Sequence, residues 1–302
     1  MSHENLNVGY LGYSTVTKEI LDAIDVDPEL VISFTDEVEA TYGRGVAYES
    51  YDPWLQVETI NSPEALDALR AHDIDVLLVM GWPELLHEDA LETPNVGCVG
   101  RHLSLLPERR GRAPVAWALI HGLDRTGVSL FWLDEGVDSG PILEQGVVDI
   151  APDDHAQELH DKCTQESITL LEESLLPRFY EGDFSADPQD AGDATYTHPR
   201  RPDMGIIDWT DSAWDVHNFV RGQSHPYPGA FSYHEMNKVT AWESRVSHPT
   251  VTKAAPGTVL DATAETDRVV VQCGEGTVDL SVEYANDDNP ATAGDRLGAA
   301  PY

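Results

Sequence analysis

Basic side chains are scarce in this chain of 302 residues. Eighteen lysines and arginines stand against 54 aspartates and glutamates, for a formal net charge of −36, and only Lys18, Lys162, Lys238 and Lys253 are lysine. A phosphate backbone needs a track of positive charge. The C-terminal half has no basic cluster beyond Arg200–Arg201, so nucleic acid is not an expected partner. The acids are spread from end to end, as on a carboxylate surface adapted to concentrated salt, where repulsion is screened. A halophilic protein is expected, and surface charge then says little about partners. Long apolar runs are missing too: no stretch of eighteen exists, so neither a membrane-spanning helix nor a membrane partner is expected. The opening MSHENLNVGYLGY has no basic n-region and no apolar h-region, and a cytoplasmic location is expected. Three cysteines (Cys98, Cys163, Cys273), far apart and odd in number, supply neither a C-x-x-C metal site nor a disulfide framework. No metal-ligand cluster is seen, and no metal is expected. G-x-G-x-x-G, P-loop, G-x-S-x-G and H-E-x-x-H patterns are all absent.

What is present is an alternation of strand and helix signals. Leu6–Leu11 reads as a buried strand, followed by a turn and helical spacing over Thr17–Ile24. ELVISFTDE is a second strand. SPEALDALRAH is a helix with a serine cap and proline at its first position. DIDVLLVMGW and VGCVG are strands of the continuously apolar kind that parallel sheets bury. PVAWALIHG is helical, and TGVSLFWLDEGVDSGPILEQGVVDI is strand, turn, strand. Asp153–Phe179 reads as one long helix with Leu159, Cys163, Ile168, Leu171 and Leu175 on one face. This order predicts an α/β fold, an open and mainly parallel sheet with helices on both sides. A polar segment rich in Gly, Pro and Asp follows, then a capped helix in SAWDVHNFVRGQ, then short β-rich runs that predict a small barrel. The expected division is 1–183, a linker at 184–205, a smaller β domain at 206–286, and a frayed tail at 287–302.

Two residues carry the chemical argument. His102 lies at the end of a predicted parallel strand, where α/β proteins place their sites. Asp138 lies in LDEGVDSG, a glycine-flanked turn after another strand, and a carboxylate with an imidazole can tune proton transfer. Between them, PERRGRAP sets Arg109, Arg110 and Arg112 in a stiff turn. Their forks suit phosphate or carboxylate ligands, and salt bridges to the many surface acids are the alternative. HPYPGAF, with Tyr227, is a rigid loop entering the β domain or an aromatic substrate wall.

HLSLLPERRGRAPVAWALIHGLDRTGVSLFWLDEGVDSGPIL resembles the signature of 10-formyltetrahydrofolate-dependent formyltransferases. The regions with PRRPDMGIIDWTDSAWDVHNFVRGQSHPYPGAFSY and APGTVL resemble the C-terminal part of the amino-sugar-nucleotide and methionyl-tRNA branches. The nearest resemblance is to UDP-4-amino-4-deoxy-arabinose formyltransferase domains. It implies a Rossmann-like formyltransferase domain that binds folate rather than a dinucleotide, and an OB-like C-terminal domain. It implies 10-formyltetrahydrofolate as cosubstrate and transfer of its formyl group to a primary amine, on an amino sugar nucleotide; methionyl-tRNA and formyl hydrolysis are the alternatives. In such enzymes an Asn-x-His pair meets the oxyanion and an Asp assists the proton transfers, which assigns catalysis to His102 and Asp138. The asparagine is replaced by Gly100. Another donor with room left by glycine, groups of the substrate, or weakened catalysis would each account for that. The resemblance also implies folate contacts from Trp82, Leu85, Ser104, Leu105, Leu106, Pro107 and Gly136, and acceptor contacts from Arg110, Arg112, Arg221 and Tyr227. A homodimer through the β domain is an expectation.

Overall fold

In a computed structural model of the chain, the described residues are 6–42, 46–247, 253–263, 267–286 and 289–298. They form two compact units that interleave along the sequence. The first comprises Met1–Gly111, Gly127–Val148 and Lys162–Tyr196; the second comprises Arg112–Thr126, Asp149–Asp161 and Thr197–Tyr302.

The first unit begins with β1 (Val8–Leu11), α1 (Thr15–Ala23), β2 (Leu30–Phe34), α2 (Asp36–Tyr42), β3 (Trp54–Val57), α3 (Pro63–Ala71), β4 (Val76–Val79), α4 (Glu88–Leu91) and β5 (Gly97–His102). Strands β1, β2 and β4 are buried along their whole length, as their unbroken apolar sequences require. A reciprocal capping box of Ser14 and Thr17 starts α1. The Ser62 hydroxyl caps α3, with Pro63 in its first turn. Further on lie β6 (Arg110–Gly111), α5 (Pro114–Ile120, in the second unit), β7 (Arg125–Trp132) and β8 (Ile142–Asp149). The seven-stranded sheet has the order β3-β2-β1-β4-β5-β7-β8. Pairs from β3 to β5 are parallel, while β5 and β7 are antiparallel, with Gly100 opposite Phe131 and His102 opposite Ser129. The order reverses at β1–β4, and β5 is the next strand, so His102 ends on the edge of the sheet where ligands bind in such folds.

The long helix begins later than expected and is not uniform. It runs as α6 (Ala156–Leu170), widens into a π turn at Leu171–Leu175, and continues as α7 (Leu176–Tyr180). Pro177 is the reason: it has no N–H for the Glu173 carbonyl and its ring crowds that position. The apolar face is as predicted, with Leu159, Cys163, Ile168, Leu171 and Leu175 all buried.

The polar segment after α7 is hydrogen-bonded rather than free. Asp187 and Ile142 exchange backbone bonds of 2.7 and 2.8 Å, and the Arg110 amide donates to the Thr195 carbonyl at 2.9 Å. Tyr196–Thr197 form a short strand, β9, beside β6.

In the second unit α8 (Ala213–Arg221), capped by Ser212, packs against an antiparallel sheet. The strands are β10 (Ala230–His234), β11 (Asn237–Ser247), β12 (Val259–Thr263), β13 (Arg268–Gln272), β14 (Thr277–Tyr284) and β15 (Leu297–Gly298), in the order β12-β13-β14-β11-β10-β15. Irregularities at Ala241/Glu243 and Val259/Asp261 bend it. Together these strands make the curved C-terminal β domain. The core holds Trp209, Val216, Val220, Val259, Val271, Val278 and Leu280. The tail expected to fray over 287–302 departs from that reading where it is described: β15 pairs with β10, and Leu297 and Ala291 are in the core. Its apolar content is too low to signal a strand, and pairing supplied by β10 overrides composition. Residues 287–288 and 299–302 lie outside the described residues.

Candidate active site

Strand geometry sends alternate side chains to opposite faces, and β5 uses both. Arg101 points to the α6 side, where its Nε donates to Ser167 Oγ at 2.6 Å and Nη2 lies 3.4 Å from Thr164 Oγ1. Burial pulls its guanidinium below the usual value, and it serves the fold. Gly100 and His102 share the other face. His102 is 6% exposed. Its Nε2 donates to the Arg109 carbonyl at 2.7 Å, and Nδ1 faces Asp138 Oδ2 at 3.5 Å. With the proton on Nε2, the Nδ1 lone pair of a neutral ring faces the carboxylate, and a proton taken up there makes an ion pair.

Asp138 does not reach His102 from a neighbouring strand end. Strand β7 is antiparallel, so its last residue, Trp132, lies opposite Val99, away from His102. The turn that follows brings Asp138 back to the imidazole. Asp138 itself has φ +51°, and Oδ2 accepts the Gly111 amide at 2.7 Å. Gln189 Nε2 donates to the Asp138 and Gly140 carbonyls at 3.0 and 2.7 Å, fixing the turn. Near the start of the turn, Gly136 donates its amide to Asp134 Oδ1, and a side chain there would collide with Ser139.

Gly100 leaves no room. A Cβ on it would stand 2.5 Å from Leu133 Cδ2 and 3.0 Å from Phe131 Cε1. Leu133 therefore fills the place of a longer side chain at residue 100, and the wall there is apolar. The reading in which glycine opens space for a substitute donor is corrected by this packing. A glycine facing its antiparallel partner's face is a signal that a larger residue opposite has grown into the gap; the β5–β7 register was needed to find it.

The Ser-Leu-Leu-Pro turn is braced from inside. Ser104 is fully buried, and its hydroxyl donates to the Glu108 carbonyl at 2.6 Å. Ser129 Oγ donates to the Ser104 carbonyl and accepts the Leu106 amide, while Gln145 Nε2 donates to the Leu106 carbonyl. Leu106 is buried, Leu105 lies over Gly127, and the Pro107 carbonyl accepts the Thr195 amide. These residues shape the loop around His102. Trp82 stacks on Phe34 with ring centres 3.7 Å apart and meets Tyr13 edge-on, whereas Leu85 is 71% exposed. A cavity of about 300 Å³ opens in this unit between Leu91, Cys98, Trp132 and Leu133, with Glu92 and Asp134 on its rim. Its walls do not include Trp82, Leu85, Gly136 or the Ser104–Pro107 turn.

Arg110 is buried, its Nε and Nη2 on Gln189 Oε1 and Nη1 on Tyr196 Oη. Polar residues of the 184–205 segment thus hold the arginine turn, and nothing periodic in that segment announces them. Arg112, Arg221 and Tyr227 belong to the second unit. Arg112 is exposed, with backbone bonds to Thr197. Arg221 is buried on Asn218 Oδ1 and the Ala151 and Asp154 carbonyls, and burial lowers its pKa. Tyr227 Oη meets His160 Nε2 at 2.9 Å. Burial pushes all three thiols up to about 12, so none is poised as a nucleophile. Among the described residues no group of three His, Cys, Asp or Glu could hold a metal ion, and no helix is long and apolar enough to cross a membrane.

Comparison with known proteins agrees with this architecture. Residues 27–175 match the Formyl transferase family and residues 200–295 match Formyl transferase, C-terminal domain. HypX from Aquifex aeolicus in complex with tetrahydrofolic acid superposes with a TM-score of 0.64 at 18% identity, over 93% of this chain and 44% of that one. The chain thus spans less than half the length of the HypX chains it matches. An N-formyltransferase from Helicobacter canadensis, in complex with folinic acid and dTDP-3-aminofucose, gives a TM-score of 0.67 at 14% identity, over 92% and 100% of the two chains. Methionyl-tRNA formyltransferase from Clostridium thermocellum gives 0.58 at 14%, over 93% and 100%. These likenesses are of fold. With both family profiles together covering most of its length, the chain belongs to the formyl transferase family of enzymes.

Proposed function

We propose that this protein transfers the formyl group of 10-formyltetrahydrofolate to a primary amine, with an amino sugar nucleotide as acceptor. The observation that carries the reading is the meeting of His102 and Asp138 at the sheet edge, drawn from different loops and partly buried. The cosubstrate supplies an activated formyl carbon. Attack by the amine forms a new C–N bond, the bond from carbon to folate nitrogen breaks, and the proton lost by the amine balances the one gained by tetrahydrofolate. An imidazole backed by a carboxylate can accept and return that proton while the formyl oxygen carries negative charge.

The apolar cavity beside Leu133 suits a flat ring, and the carboxylates lining it suit the N–H donors of a 2-aminopteridine. The acceptor class is supported by the absence of a basic cluster beyond Arg200–Arg201 in the C-terminal half of the sequence and by the aminofucose nucleotide bound to the Helicobacter enzyme of like fold. A cytoplasmic, salt-adapted enzyme is part of the same reading.

The test is release of tetrahydrofolate from 10-formyltetrahydrofolate in molar KCl, with and without acceptors. Release that requires an amino sugar nucleotide is the expected result. Release with methionyl-tRNA only, or with no acceptor, would replace the acceptor or the reaction class.

A further inference from the structure

The loss of an amide at residue 100 leaves β5 without a side-chain donor there, and Leu133 Cδ2 stands where a side chain at that position would begin. The turn that braces the imidazole carries an arginine. Arg109 touches His102 directly, its carbonyl 2.7 Å from Nε2. The Arg109 side chain is only 16% exposed. Its Nε is buried with no hydrogen-bond partner among the described residues, while Nη1 is tied to Glu108 Oε2 at 3.1 Å. Its backbone sits at φ +58°, a conformation that disfavours a side chain, and the Arg109 amide is held there by Thr195 Oγ1 at 2.8 Å.

These facts are unusual together. A buried N–H left unpaired is destabilising, and more so on a charged group. A left-handed arginine adds backbone strain. Neither cost has a visible structural return. The neighbouring arginines differ: Arg101 and Arg110 spend their forks on Ser167 and Gln189. Arg109 is the member of the turn whose backbone holds the imidazole and whose side chain keeps a buried donor unspent.

We propose that the Arg109 guanidinium binds a negatively charged oxygen of the substrates at the His102 site, in place of the amide missing at residue 100. This rests on the formyl-transfer reading above. Two oxygens share the chemistry, the formyl oxygen as charge develops on it and a phosphate oxygen of the acceptor. A cationic fork suits either.

The test compares Arg109→Ala and Arg109→Lys with the wild type, with His102→Ala alongside. Arg109→Ala is expected to fold normally, because its side chain has Glu108 as its partner and no other among the described residues. Its kcat should fall about 10²-fold with acceptor KM unchanged if the formyl oxygen is the ligand. Acceptor KM should rise instead if the ligand is a phosphate. Arg109→Lys should recover part of either loss, and free guanidinium should partly rescue Arg109→Ala. A second readout needs no turnover: inorganic phosphate should bind the wild type more tightly than Arg109→Ala by calorimetry. If Arg109→Ala matches the wild type in kcat, KM and phosphate affinity while His102→Ala is inactive, the Arg109 proposal is wrong and the formyl-transfer reading stands. If wild type and His102→Ala are equally inert towards formyl folate, the underlying reading fails, and phosphate binding still reports on Arg109.

Discussion

His102 in the first unit and His217 in the second are buried alike, at 6% and 4% exposure, and surrounded differently. His217 has both ring nitrogens satisfied: Nε2 donates to the Pro152 carbonyl at 2.9 Å, and Nδ1 lies 2.7 Å from Ser244 Oγ. Arg221 of the same unit spreads three bonds over Asn218, Ala151 and Asp154. Around His102 the bonding is incomplete. Its Nδ1 stands 3.5 Å from Asp138, beyond hydrogen-bond length, and Arg109 Nε has no partner among the described residues. Burial alone therefore does not separate structural from chemical groups. Saturation does: a fully paired cluster holds chain segments together, and an incompletely paired one keeps capacity for a ligand.

The largest effect that would break this contrast is on turnover. His102→Ala should lower kcat by about 10²–10⁴ and cost less stability than His217→Ala, because it strands the Arg109 carbonyl alone. Asp138→Asn should fall in the same direction. His217→Ala should do the reverse, keeping kcat and losing about 1–3 kcal/mol of stability as Pro152 and Ser244 lose their partner. Steady-state kinetics and calorimetry on the three variants decide it; a His217→Ala enzyme that is stable and slow would dissolve the distinction.

Much of the first unit could be read in advance, because its central strands are unbroken apolar runs and α3 carries its own cap and proline. His102 and Asp138 could be singled out from their loops, but not the path that joins them. The sequence pattern of strand, turn, strand does not show that β7 runs antiparallel to β5, so the return of the 133–141 turn was invisible. Leu133 and Gln189 were missed for related reasons. Leu133 matters through the glycine it covers, and Gln189 lies in a segment whose polar composition looks the same whether it is free or hydrogen-bonded. Arg110 illustrates the converse. Its neighbourhood of charge suggested a ligand, and its partners turn out to be a glutamine and a tyrosine.

A middle-sized effect sharpens the contrast within the first unit, between the polar end of β5 and its sealed middle. Gly100→Asn should destabilise by about 1–3 kcal/mol, because the new side chain meets Leu133 and Phe131. Adding Leu133→Ala should relieve the strain. The double variant should then exceed Gly100→Asn alone in both unfolding temperature and kcat, a coupling read from a double-mutant cycle. Independent, additive effects would mean that Leu133 does not occupy the position as described.

The smallest effect concerns pH and the saturated histidine. Burial first, then the nearby Arg221 and His155, hold His217 below its usual value, so the folded protein keeps it neutral where the unfolded chain would protonate it. As pH falls through the ordinary histidine range near 6.5, the unfolded state takes up a proton that the folded state refuses, and stability drops. The contribution is fully present above that range and is lost as pH falls towards the depressed folded value. Pro152 and Ser244 meet the ring directly, His155 packs edge-on at 6.2 Å between ring centres, and Trp214 lies at 5.8 Å, while Asp153, Glu158 and Glu243 line the same cavity. His217→Gln keeps a donor and an acceptor while removing the titration. It should flatten the slope of unfolding free energy against pH between about 7 and 5 relative to the wild type. Denaturant titrations at fixed high salt measure that slope, and identical slopes in the two proteins would show that His217 is not the group that makes the second unit sensitive to acid.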